Sequence, residues 1–157
     1  PEGEKIKALP SAVYAEVCKA ADVVLVEADG SKHMPLKYPN ATEPVIPENT
    51  DEIIVVWGPH GLGKPARAVC HRLELVKACL GINEDTLITP DHVRKLVTRG
   101  YLNPLRKKYP EKKITLAPRH DGSACQRTIA AWLQQEAETS AVRGPQNVQD
   151  ICGGQSR

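Results

Sequence analysis

The sequence predicts an α/β layered domain with a mostly parallel sheet, and three observations carry that reading. Segments with helical spacing alternate with short apolar runs, the order expected when helices cover a sheet. Two of the runs, "VVLV" (residues 23–26) and "IIVV" (residues 53–56), are unbroken stretches of Val, Leu and Ile, as in parallel strands buried on both faces. Each run also closes on turn-forming residues, "EADGS" and "WGPHG", the end of a strand where ligands gather in open α/β sheets. Helices on both faces would make the domain three layers deep.

The elements follow in order. "LPSAVYAEVCKAAD" places Val13, Val17 and Ala20 at helical spacing, with Ser11 offered as a cap. "VVLVEADGS" is the first expected strand. Residues 32–50 carry Pro35, Pro39, Pro44 and Pro47, which exclude helix and push each preceding residue to extended geometry. A loop of that length in a compact domain is usually functional or mobile. "EIIVVWG" is the second strand, and Pro65 to about Leu80 a helix ending at Gly81. In "ITPDHVRKLVTRG" Thr89 is the cap, Pro90 the first helical residue and Gly100 the terminator. "YLNPLRKKYPEKK" is basic and irregular, "ITLA" a third strand, and "SACQRTIAAWLQQEAE" (residues 123–138) a closing helix. The organisation expected is one α/β domain over residues 1–136 and a disordered tail over 137–157. Three strands are few for an open sheet, which usually has about 4–6. An exposed apolar sheet edge is therefore expected, covered by self-association or by a partner.

Composition excludes several functions. The chain has 157 residues, 25% charged and 41% apolar, with a net charge of +2. That charge is too small to announce nucleic acid, and the basic run "RKKYPEKK" reads as a solvated face. No apolar run approaches the ~18 residues of a membrane span, and no signal peptide is visible, so a cytoplasmic protein with no membrane partner is expected. The five cysteines are odd in number and never form C-x-x-C, so neither a disulfide framework nor a zinc knuckle follows.

Two stretches carry candidate chemistry. From Gly58 the sequence reads G-P-H-G-L-G-K-P, one letter from the phosphate loop G-x-x-x-x-G-K-[ST]. Pro65 stands where the metal-binding hydroxyl should be and supplies no N–H for a phosphate. The residues favour a flexible turn in which Pro65 starts a helix. At "VVLVEADGS", Glu27 and Asp29 fall on one side of an extended chain, and two carboxylates there suit Mg²⁺. Gly30 permits a close turn, and Lys32 and Lys37 could neutralise phosphate. A strand ending in an Asp-Gly turn with solvated charges accounts for the same letters.

A longer pattern adds to this. "VLVEADGSKHMPLKYPNATEPVIP" (residues 24–47), followed by "GPHGLGKPA" and "VCHRLE", resembles the signature of the YqeC family, proposed accessory proteins of selenium-dependent molybdenum hydroxylases. The resemblance runs from about Lys5 to Glu136. It implies the carboxyl-terminal part of a P-loop-NTPase-like fold, with the phosphate loop on a preceding segment and proline normal in G-x-x-x-x-G-K-P. It further implies Glu27 and Asp29 as catalytic acids and Mg²⁺ ligands. Gly30, Ser31, Lys32, Lys37, His71 and Arg72 would contact a nucleoside triphosphate, and the partner would be a molybdenum hydroxylase or its maturation machinery. In "ITLAPRHDG", Ala117 and Pro118 replace the Asn and Lys with which the family pattern reads a base, and Asp121 is shifted by one residue. This chain by itself is expected to hydrolyse no nucleotide. The competing reading is a non-enzymatic module that docks a client enzyme through the proline-rich loop 32–50.

Overall fold

The computed structural model describes residues 9–119. The expected closing helix 123–138, the tail 137–157 and Asp121 lie outside them. The order of elements is α1 (Ser11–Ala20), β1 (Leu36–Lys37), β2 (Glu52–Trp57), a 3-10 turn (Pro59–Gly61), α2 (Ala66–Val69), β3 (Cys70–His71), α3 (Leu73–Leu80), α4 (Pro90–Val97), a π-helical segment (Thr98–Leu102), α5 (Asn103–Lys108) and β4 (Lys113–Pro118). The fold is mixed α/β, and its strands form two parallel pairs, β1 with β3 and β2 with β4.

The β2–β4 pair runs in register from Glu52 opposite Lys113 to Trp57 opposite Pro118. Burial alternates along β2: Ile53, Val55 and Trp57 enter the core, whereas Ile54 and Val56 face outward and are exposed. The core is aliphatic around Trp57: Leu116 of β4 joins Val76 of α3, Val93, Leu96 and Val97 of α4, and Leu102 and Leu105 beyond it.

α4 follows its local signals. Thr89 Oγ1 accepts the His92 N–H at 3.2 Å, and His92 Nδ1 accepts the Thr89 N–H at 3.3 Å, a reciprocal cap that satisfies two orphan donors. Gly100 does not end the helix. It continues through the π-helical segment into α5, because Gly100 serves close packing instead: a Cβ there would lie 3.2 Å from Tyr38 and Pro39. Residues 103–108, expected to be irregular, are helical, with Pro104 in the first turn and Leu105 buried.

Three further expectations are corrected. Ser11 is the first residue of α1 rather than its cap; the cap position is Pro10, which offers no side-chain acceptor. The single helix from Pro65 to Leu80 is broken at Cys70–Arg72, where the chain leaves helical geometry to pair with β1 and Arg72 turns left-handed at φ 59°. Cross-chain pairing there outweighs helix propensity, which is worth only tenths of a kcal/mol per residue. Residues 23–31 form no strand. Val23 and Leu25 are 75% and 86% exposed, and among the described residues no ladder partner takes up their backbone groups.

Candidate functional site

Lys37 is the centre of the site. It lies on β1, paired in parallel with His71 of β3, and only 5% of it is exposed. A buried ammonium needs acceptors for three protons. It has them: the Gly30 carbonyl at 2.8 Å, Glu43 Oε2 at 2.9 Å, and Asp29 Oδ1 in a close ion pair.

Each acceptor is itself held. Asp29 Oδ2 accepts the Tyr101 hydroxyl at 2.8 Å. Glu43 Oε1 accepts Arg72 Nη2 at 2.7 Å, and its Oε2 also takes the Asn40 N–H at 3.2 Å. Two carboxylates and two cations therefore balance, and the cluster is neutral overall. Burial pushes the Glu43 carboxyl up, but hydrogen bonds from Lys37, Arg72 and the Asn40 N–H outweigh it and hold the pKa at about 2. Burial and the Asp29 carboxylate drive the Tyr101 phenol far above its ordinary range, so it stays a donor.

The predicted site residues divide around this cluster. Asp29, Gly30, Lys37 and Arg72 meet in it. His71 stands beside it, its pKa lowered by burial first and then by the charges of Lys37, Arg72 and Lys32. Lys32 is exposed in a left-handed turn at φ 52°, where the Ser31 carbonyl accepts the Met34 N–H at 3.1 Å. Glu27 is exposed and its carboxylate reaches back over Gly30, 3.5 Å from where a Cβ would stand. Arg72 Nε is buried with no hydrogen-bond partner among the described residues, beside a cavity of about 260 Å³ lined by Arg72, Leu73, Glu74 and Leu75.

The arrangement bears directly on the chemistry expected here. All three Lys37 donors are engaged, so its role is to hold the cluster together. Both Asp29 oxygens are taken, by Lys37 and Tyr101, which leaves Glu27 as the open carboxylate. No group of three metal-ligating side chains occurs among the described residues. As it stands the cluster does not fit Mg²⁺ at Asp29. The open positive groups are Lys32, His71 when protonated, and Arg72.

The G-P-H-G-L-G-K-P stretch is a turn used by the protein itself. The N–H groups of Gly58, Gly61, Leu62, Gly63 and Lys64 are donated to the carbonyls of Pro35, Gly58, Pro59, Ile88 and Gly61. A phosphate loop needs those groups free and convergent. Gly58 is required by close approach, since a Cβ would lie 2.5 Å from Pro35 Cβ. The turn thereby buttresses the proline-rich loop.

Glu43 and Tyr101 were not found by sequence reasoning. Glu43 sits within the matched signature, in "NATEPVIP", but nothing local marks it. Tyr101 gave no signal, because its partner is 72 residues away in the chain. Cys70, buried with its thiol pushed up to about 11, is inert as expected of a core cysteine. No helix among the described residues is long and apolar enough to cross a membrane.

Comparison with known proteins agrees with the signature. Residues 1–74 match the family model described as YqeC protein. The chain is 40% identical over 81 residues to "Uncharacterized protein YqeC" of Escherichia coli (strain K12), a match covering 50% of this chain and 32% of that protein. The chain thus spans about a third of the length of the curated relative it matches. No solved structure matches.

Proposed function

We propose, taking residues 1–74 as YqeC-family sequence, that this chain belongs to a nucleotide-linked accessory protein for maturation of selenium-dependent molybdenum hydroxylases, with a P-loop-NTPase-like fold when whole. Its part in that protein is to present an anion-binding edge, formed by Lys32, His71 and Arg72 over the Asp29–Lys37–Glu43–Tyr101 cluster, whose one uncompensated negative charge Arg72 offsets through Glu43. One observation carries this: signature residues scattered from 29 to 72 converge on a single buried cluster whose outermost cation, Arg72, has a buried Nε–H with no hydrogen-bond partner among the described residues. Cationic groups set on a rigid, hydrogen-bonded base suit a phosphate group. Mg²⁺ would be recruited through Glu27 and the phosphates, the usual arrangement for that ion.

Titration calorimetry of ADP, ATP and GTP, with and without Mg²⁺, tests the reading on this chain and on one extended at its amino terminus. Binding that Arg72→Gln weakens about tenfold, or 1.4 kcal/mol, is expected. Turnover is expected in the extended chain alone, because nothing among the described residues fixes a triphosphate in line. Equal affinity of the parent and Arg72→Gln defeats the proposal.

A second reading has its own observation. A cavity of about 480 Å³ opens between the proline-rich loop at Tyr38–Pro44 and Pro104, Leu105 and Lys108 of α5, with Tyr109 just beyond it. It is the natural seat for a client segment if the loop 32–50 docks a molybdenum hydroxylase without chemistry. A pull-down of that enzyme which survives Arg72→Gln but is lost with Pro39→Gly favours this reading.

A further inference from the structure

The cluster around Lys37 has the plan of a metal centre with an ammonium at its middle. Three oxygens converge on Lys37 Nζ: Asp29 Oδ1, Glu43 Oε2 at 2.9 Å and the Gly30 carbonyl at 2.8 Å. Carboxylate and carbonyl oxygens are the donors that Mg²⁺ and Ca²⁺ take. Each carboxylate turns one oxygen inward and has the other held from outside, Asp29 Oδ2 by the Tyr101 hydroxyl and Glu43 Oε1 by Arg72. Ligating carboxylates in metal sites are fixed in the same way. The Lys37 side chain is 4% exposed, so it is this ammonium, rather than water, that meets the two acids.

Charge and spacing say what the lysine replaces. Asp29 and Glu43 carry two negative charges, which one divalent cation would balance. Lys37 balances one of them, and Arg72 is needed for the other. The separations of 2.8 and 2.9 Å are those of ordinary N–H···O bonds. They lie nearer to the about 2.3–2.6 Å of Ca²⁺ ligands than to the about 2.0–2.1 Å of Mg²⁺, and Ca²⁺ accepts the less regular geometry. The oxygens belong to residues 29, 30 and 43, so the cation between them ties the acidic stretch to the proline-rich loop.

We propose that Lys37 is a built-in replacement for a divalent cation: its ammonium fills the place at which Asp29 Oδ1, Glu43 Oε2 and the Gly30 carbonyl would ligate one. The cluster is thereby assembled at any metal concentration, and Asp29 is closed to Mg²⁺. Any metal requirement of the whole protein then falls elsewhere, on Glu27 among the predicted acids. The inference does not rest on nucleotide binding, and no nucleotide enters its test.

Thermal denaturation of the 157-residue chain in EDTA, MgCl₂ and CaCl₂ tests it. The parent midpoint should stay within about 1 °C across the three. Lys37→Ala empties the centre of the cage and should melt lower in EDTA. It should regain at least about 4 °C in millimolar Ca²⁺, less in Mg²⁺ and nothing in K⁺ at equal ionic strength. The gain should grow with Ca²⁺ concentration, as binding to the folded state alone requires. Lys37→Met, whose side chain still fills the space, should gain nothing, and neither should Lys37→Ala combined with Asp29→Asn. A Lys37→Ala chain that stays unfolded in every cation overturns the proposal, as does one whose midpoint Ca²⁺ leaves unmoved. A gain that survives Asp29→Asn but is lost with Glu27→Gln puts the cation outside the cage and overturns it too. So does a parent chain that Mg²⁺ stabilises through Asp29, read as a rise that Asp29→Asn removes.

Discussion

Tyr101 and Asp29 stand 72 residues apart in the chain and share a hydrogen bond of 2.8 Å, hydroxyl to carboxylate. That bond joins the π-helical segment after α4 to the acidic end of the signature stretch. It also occupies the second oxygen of a carboxylate whose first is held by Lys37. Local π-helical geometry often marks functional positions, and here it turns Tyr101 toward the cluster.

Tyr101→Phe should therefore destabilise the fold by about 1–2 kcal/mol, the cost of leaving a buried charged acceptor short of a donor. Urea denaturation measures it. A shift within about 0.3 kcal/mol of zero, the range of an unimportant surface change, would mean the bond contributes nothing.

Lys37→Met is expected to be far worse. It strands two carboxylates, Asp29 and Glu43, in a site only partly open to water, and breaking buried pairs in this way costs about 3–5 kcal/mol. Adding Glu43→Gln to Lys37→Met should recover part of the loss, because the residues are coupled through one network. Strictly additive effects in a double-mutant cycle would show that the cluster does not act as a unit.

Stability should fall with acid in two stages. The His71 pKa is lowered from 6.5, so below that pH the unfolded chain takes up a proton that the folded chain resists. Stability then declines as pH drops from about 6.5 toward the folded value, and His71→Gln should remove this stage. The Glu43 pKa is lowered from 4.5 to about 2, so its contribution is whole above 4.5 and is lost as pH falls toward 2. Glu43→Gln should flatten that second stage. Thermal denaturation at half-unit pH steps reads both, and a profile unchanged by either substitution would refute the assignment.

The turn after β2 gives a contrast between neighbours. Gly58→Ala forces a methyl to within 2.5 Å of Pro35 and should cost about 1–3 kcal/mol, as overpacking does. Lys64→Ala, at an exposed side chain in the same turn, should leave both stability and nucleotide affinity unchanged. A tenfold loss of nucleotide affinity in Lys64→Ala, about 1.4 kcal/mol, would revive the phosphate-loop reading.

What the sequence determined by itself was whatever depends on neighbours in the chain. Thr89 and Pro90 start α4 because cap and ring geometry are local, the prolines of 32–50 exclude helix for the same reason, and the runs at β2 and β4 were legible as strands. The signature around Asp29 and the pairing of His71 with Arg72 were legible as a pattern without a geometry. Tertiary structure decided the rest, because pairing and charge neutralisation depend on neighbours in space. It broke the helix at Cys70 to pair with Leu36, passed the helix through Gly100 to admit Tyr38, and left Val23–Val26 without a ladder among the described residues. It also brought Glu43 and Tyr101 to Lys37 and Asp29, since a buried ammonium and its carboxylates must be satisfied by whatever donors and acceptors the fold delivers there.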